Sequence, residues 1–227
     1  MRVLTVNVGR SRAVDYTDAP SGTSGIDKRP ADGPVRVSDP GPRGEGERGA
    51  RASGVAGDAV CDLRFHGGRH RAVYAFAREE LDHWEGELGR PLANGAFGEN
   101  LTTSGIDVNA ALIGERWRIG SAVLEVASGR IPCRTFAGWL DERGWVKRFT
   151  RRAAPGPLLR VVEPGDIRAG DAIEVVHRPD HDVTVEVAFR ACTLQRELLP
   201  RLLGAGEALD PELREVALSY ISRAARS

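Results

Sequence analysis

Short apolar runs separated by tight glycine turns dominate the first three quarters of the chain. Arg2 to Val8 alternates apolar and polar positions as a half-buried strand does, and Gly33-Pro34-Val35-Arg36-Val37 is a shorter version. Glu115 to Ile119, the turn Gly120-Ser121 and Ala122 to Ala127 read as paired strands. Leu158 to Val162, the turn Pro164-Gly165-Asp166 and, after Gly170-Asp171, Ala172 to Val176 repeat the idea. Short strands and short turns predict a mainly β fold class, a closed or nearly closed β-barrel with peripheral helices. Elsewhere the period changes. Arg71 to Leu88 carries Val73, Phe76, Ala77, Leu81, Trp84 and Leu88 at helical spacing with Gly89 as a stop, which predicts an amphipathic helix. From His181 onward helices take over. In the last one Asp210 caps, Pro211 occupies the first turn, and Leu213, Val216, Ala217, Tyr220, Ile221 and Ala224 form a stripe that needs an apolar partner. The expected organisation is a barrel domain over 1–180 and a small helical unit over 181–227 packed on it. Within the barrel, 38–54 is rich in Gly, Arg and Glu and poor in apolar residues, and reads as a mobile loop insertion.

Composition narrows the function classes. A chain of 227 residues with 41% hydrophobic residues buries one substantial core and perhaps a small appended unit. Lys and Arg total 32 against 32 Asp and Glu, so a nucleic-acid binder relying on phosphate neutralisation is not expected. The alternating amino terminus does not read as a signal peptide and no apolar run is long enough to span a bilayer, so a cytoplasmic protein with no membrane partner is expected. Three cysteines without a CxxC pair read as reduced thiols.

The chemistry centres on Gly129-Arg130-Ile131-Pro132-Cys133-Arg134. Proline suits a helix start, which predicts Cys133 in the first helical turn, where unpaired N–H groups and two arginines favour a thiolate. Such a thiol is a metal ligand or a nucleophile. Cys61 and Cys192, among apolar neighbours, read as buried structural thiols. His66 precedes Gly67-Gly68 and so lies on a tight, close-approaching loop; the same double glycine argues against a metal pair with His70. Asp58 and Asp62 read as turn and salt-bridge residues.

In order along the chain stand Thr23-Ser24-Gly25-Ile26-Asp27-Lys28, Gly57-Asp58, His66-Gly67-Gly68 with Ala72-Val73-Tyr74, Phe97-Gly98-Glu99-Asn100-Leu101, Ile113-Gly114-Glu115, Arg130-Ile131-Pro132-Cys133 and Gly170-Asp171. This ordered set resembles the MOSC family, the carboxy-terminal domain type of molybdenum cofactor sulfurases, and its stand-alone bacterial branch that includes N-hydroxylaminopurine reductase. The resemblance implies a MOSC-type β-barrel with a carboxy-terminal three-helix unit, and a pocket for the molybdenum cofactor (molybdopterin) with Cys133 as molybdenum ligand. It implies that Arg130, Asn100, Gly67, Gly68 and Gly98 contact the cofactor. Cys133, His66 and Glu99 would form the catalytic set, His66 or Glu99 supplying a proton. Three positions depart from the usual pattern: His70 where an acidic residue is common, Pro157-Leu158 in place of an aromatic, and Ser128-Gly129 before Arg130. The implied activity is reduction of a small-molecule N-hydroxylated base or amine, with electrons from a separate electron-donor protein because no iron–sulfur, flavin or dinucleotide motif occurs. Two alternatives stay open at this level: a Cys133 persulfide sulfur carrier, and a non-catalytic cofactor carrier.

Overall fold

The computed structural model describes residues 1–43 and 53–226. Its strands are β1 (Arg2–Gly9), β2 (Arg12–Ala13), β3 (Thr23–Ser24), β4 (Lys28–Pro30), β5 (Val35–Val37), β6 (Val73–Ala77), β7 (Leu101–Ser104), β8 (Arg116–Ile119), β9 (Ala122–Gly129), β10 (Pro157–Glu163), β11 (Gly165–Ile167) and β12 (Ile173–His177). The α-helices are α1 (Arg78–Leu88), α2 (Arg134–Leu140), α3 (Trp145–Arg152), α4 (Val185–Thr193) and α5 (Pro211–Ala224), with 3-10 turns at Arg69–Arg71 and Arg196–Ala208.

Eight strands form one mixed sheet in the order β12-β8-β9-β10-β6-β7-β1-β4. The sheet curls so that the start of β1, next to its last strand, touches the segment leading into β12. Val3 N–H donates to Asp171 O (2.9 Å), Gly170 N–H to Val3 O (2.8 Å) and Ile173 N–H to Met1 O (3.1 Å), and Arg2 bridges Ala172. The fold is therefore sheet-dominated, as expected, and this short seam at the start of β1 stands where a closed barrel would have a continuous ladder.

The expected helix over 71–88 is only half helix. Val73–Ala77 is strand β6, and all five of its residues are buried. β6 runs parallel to β7, with Ala75 opposite Leu101, and α1 supplies the crossover that a parallel pair needs. A central strand covered on both faces is apolar at every position, so Val73 and Phe76 carry no alternation to set against the helical spacing that follows. Gly89 ends α1 as expected, at φ 65° with its N–H on Glu85 O.

Two apolar cores result. One fills the curled sheet and runs without a break into the helical unit, joining Leu124 and Trp117 to Val183, Ala188, Leu199 and Leu202. The other is aromatic and lies between α1, α2 and α3, around Phe76, Trp84, Phe97, Phe136, Trp145 and Phe149. The α5 stripe differs from expectation: Ala217 is buried, Leu213 and Tyr220 are half-buried, but Val216 and Ile221 stay exposed at 39% and 37%. Of the 38–54 insertion, 44–52 lie outside the described residues, and both flanks are pinned. Ser38 N–H donates to Gly54 O (2.9 Å), Gly54 N–H to Ala72 O (2.8 Å) and Arg69 N–H to Gly41 O (2.7 Å). No helix among the described residues is long and apolar enough to cross a membrane.

Candidate functional site

The aromatic core sets the position of Cys133. Helix α2 buries Phe136 and Leu140, and the Phe136 ring lies 5.1 Å from Phe97 and 5.3 Å from both Trp145 and Phe149. Trp139 Nε1 donates to Ala96 O (2.7 Å), tying the outer face of α2 to the turn before Phe97. With its far end anchored, the helix presents its start to a cleft of about 530 Å3 in which Cys133 is one wall. Cys133 is the N-cap residue, one position before the first turn expected of it, because its own backbone is still extended at φ −125° and ψ 172° and the helix begins at Arg134. The two neighbouring arginines are engaged elsewhere. Arg134 pairs with Asp18 (2.7 Å), while Arg130 donates to Phe97 O and stacks on Phe136 at 4.1 Å and Tyr74 at 4.8 Å. The cationic turn thus supplies a local field more than a direct contact to sulfur.

His66 also lines the cleft. Its loop is braced by His66 N–H on Asp62 O (3.0 Å) and by the Arg64 guanidinium on the Asp62 carboxylate (2.9 Å). The Arg64 hydrogen bonds hold Asp62 below the usual carboxylate range, the salt-bridge role expected of it. Solvent reaches the His66 ring through the cleft, yet protein crowds it on its other sides. Desolvation there, with the guanidinium groups of Arg130, Arg71 and Arg43, pushes its pKa down to about 4, opposed only by Asp62. At neutral pH the imidazole is uncharged, so it accepts a proton or a hydrogen bond before it can give one.

Glu99, expected in the catalytic set, lies behind the cleft wall and is fully buried. Its carboxylate accepts from Gly95 N–H (2.6 Å), Phe97 N–H (3.0 Å) and Thr102 Oγ1 (2.8 Å), fixing the turn that carries the Arg130 acceptor. Desolvation raises its pKa, which those donors resist. Asn100 reaches the cleft wall, but its amide is committed: Oδ1 accepts from Tyr74 N–H (3.1 Å), and Nδ2 donates to Asn7 O (3.2 Å) and Asp58 Oδ2 (3.0 Å). It orients Asp58 with both Nδ2 hydrogens used, and Oδ1 keeps a second acceptor position. Gly67 and Gly98 line the cleft at φ 75° and 72°; Gly68 does not, and a Cβ there would lie 2.8 Å from the Arg43 backbone, so its role is packing.

Several cleft residues escaped the sequence reading. Lys28, only 9% exposed in its side chain, pairs with Asp58, which also accepts from Gly9 N–H (2.7 Å) and Ser53 Oγ (2.8 Å). Arg71 donates to Phe65 O and to Glu212 (2.9 Å) at the start of α5. Cys61 and Cys192, expected as buried thiols, are half-buried and line the same cleft, and Phe189, Asp210 and Leu213 of the helical unit complete it. The place of Lys28 at the end of its motif was a usable signal; Cys192 and Asp210 had none, because only the tertiary fold brings them in.

A curled sheet thus presents the thiol of Cys133, at a helix start, to a cleft lined, among the described residues, by cations and carboxylates in equal number. The MOSC domain family profile matches residues 62–174, a span that includes His66 and Cys133. YflK of Bacillus subtilis, an uncharacterized protein, is 32% identical over 188 residues, covering 83% of this chain and 79% of its own length. A reductase of Gibberella moniliformis is 33% identical over 162 residues, which are 69% of this chain and 26% of that longer protein. The crystal structure of YiiM from Geobacillus stearothermophilus has the same fold, with a TM-score of 0.75 at 23% identity over 97% of this chain and 98% of that one. The chain belongs to the MOSC domain family.

MOSC domains are associated with the molybdenum cofactor, and the donor set suits such a group. A soft thiol serves a metal already held by sulfur; of the cations in the wall Lys28 is paired with Asp58, Arg71 with Glu212 and Arg134 with Asp18, while Arg130 has no carboxylate among its described partners and is the one placed to meet a phosphate. Each guanidinium keeps N–H donors beyond the bonds named above. The fit rests on Cys133 and Arg130; Gly68 does not contribute to it.

Proposed function

We propose that this protein is a cytoplasmic molybdenum-cofactor-dependent reductase that converts small N-hydroxylated bases or amines to the amine. What carries the reading is the convergence of Cys133, the uncharged His66 and Arg130 on one cleft. When bound, the cofactor would supply the two-electron reduction. Cys133 would hold the metal through its thiolate, and Arg130 would face the phosphate. The substrate N–OH becomes N–H plus water, which consumes two electrons and two protons. Both protons would come from solvent, and His66, uncharged at rest, would accept a hydrogen bond in the cleft and relay a solvent proton to the departing oxygen. Electrons would come from a separate donor protein.

Purified protein is analysed for molybdenum and pterin, then assayed with 6-hydroxylaminopurine and an artificial reductant. Cys133→Ser should abolish turnover and lower bound molybdenum, with Cys61→Ser as the control retaining both. Turnover in Cys133→Ser would falsify the ligand assignment. A sulfane sulfur on Cys133 with no reduction of any N-hydroxylated compound would replace the reading with sulfur transfer.

A further inference from the structure

Most large hydrophobic side chains of this chain are buried, but two that stand in water belong to the cleft: Phe65 at 59% exposure and Ile131 at 48%. Phe65 precedes His66, and Ile131 stands two residues before Cys133. The cations lie deeper, the Lys28 and Arg71 side chains being 9% and 24% exposed. Inside lies the Lys28–Asp58 ion pair, and the rim carries the apolar Phe65 and Ile131 beside the exposed Arg134–Asp18 pair. Leaving a phenyl ring in water forgoes the gain of burying it, and this one is not on a slack segment. Arg71 donates to Phe65 O, Phe65 N–H reaches Asp62 O (3.4 Å), and Arg64, itself tied to Asp62 and to Asp18 O (2.6 Å), sets its guanidinium 5.2 Å from the ring centroid. One guanidinium covers at most one of the two ring faces. An exposed aromatic on a braced loop beside the proton-handling imidazole is what a stacked planar ligand requires.

We propose that Phe65 is the stacking platform for the planar ring of the substrate and makes the site selective for N-hydroxylated heteroaromatic bases over non-planar hydroxylamines. This rests on the reductase reading above. The ring stacks on Phe65 at the rim, and the N–OH group points inward beside His66.

The test compares wild type, Phe65→Ala and Phe65→Trp as the full chain, both cofactor-loaded and apo, with 6-hydroxylaminopurine as the planar probe and N-cyclohexylhydroxylamine as the non-planar one. Binding is read by calorimetry on both forms and turnover on the loaded form. Phe65→Ala should weaken planar-probe binding about tenfold, the effect of one lost base–aromatic stack. The loss should appear in KM more than in kcat, the preference for the planar probe should shrink by the same factor, and Phe65→Trp should restore it. Equal losses for both probes, or unchanged planar binding in Phe65→Ala, overturn the platform. If the loaded wild type reduces neither probe, the reductase reading fails and binding decides alone: planar binding that depends on Phe65 supports the platform, and its absence overturns it.

Discussion

The Lys28–Asp58 pair is buried, with side-chain exposures of 9% and 2%, and every oxygen of Asp58 has a donor. Removing one member of such a pair leaves a charge in the interior with nothing to balance it. Asp58→Ala should therefore cost about 3–5 kcal/mol, measurable by denaturant unfolding, and the double variant with Lys28→Met should recover much of the loss. His66 gives a prediction that is read against pH. Its ordinary pKa is 6.5 and its value in the folded protein is about 4, so between those limits the unfolded chain binds the extra proton. Stability should fall as pH is lowered from about 6.5 to 4, and His66→Gln should flatten the melting temperature across that window. His70, also held low by burial, adds a slope of the same sign, so the variant removes part of the dependence. An unchanged slope would mean that the ring is not desolvated in the cleft.

Among the elements, helices α4 and α5 contribute unequally although both belong to the carboxy-terminal unit. Val185, Ala188 and Phe189 of α4 are buried, and Val185 N–H donates to Ala111 O (2.9 Å), whereas α5 buries Ala217 alone. Truncation after Asp210 should lower stability by about 1–3 kcal/mol and leave a soluble chain, while truncation at His181 should open the core and cause aggregation. Light scattering with thermal melts separates the two outcomes. Deleting 44–52 should change the melting temperature little, because loop-closure entropy varies slowly with length; removing all of 38–54 also takes Ser53 from Asp58 and should cost more. The hairpin of β8 and β9, the α5 cap at Asp210 and the Gly89 stop were legible because each is decided by neighbours in sequence. β6 was not, since what makes Val73–Ala77 a strand is burial on both faces, a property of the sheet. The hydrogen-bond partners of Glu99 and Asn100 were not legible for a related reason. A polar pair after Phe97-Gly98 has the same spelling whether it faces a ligand or ties down a turn, and only the partners distinguish them.

At the scale of the whole molecule the cleft joins the 23–28 segment, the His66 loop, the start of α2 and the carboxy-terminal helices, and it gathers Cys61, Cys133 and Cys192. A ligand filling it should protect all three thiols from alkylation together and raise the melting temperature with its concentration. Mass spectrometry of iodoacetamide-treated protein would show this, and protection of Cys133 alone would mean a ligand that occupies only one end. The same convergence bears on how the protein is made. Residues at 189, 192, 210 and 213 close the cleft, and the amino-terminal strand finds its seam only at 170–173. On the ribosome, the thiol of Cys133 therefore emerges well before its chamber exists. Loading with any ligand belongs after residues 189–213 have emerged and packed, and the interval before that is when this sulfur is most open to oxidation.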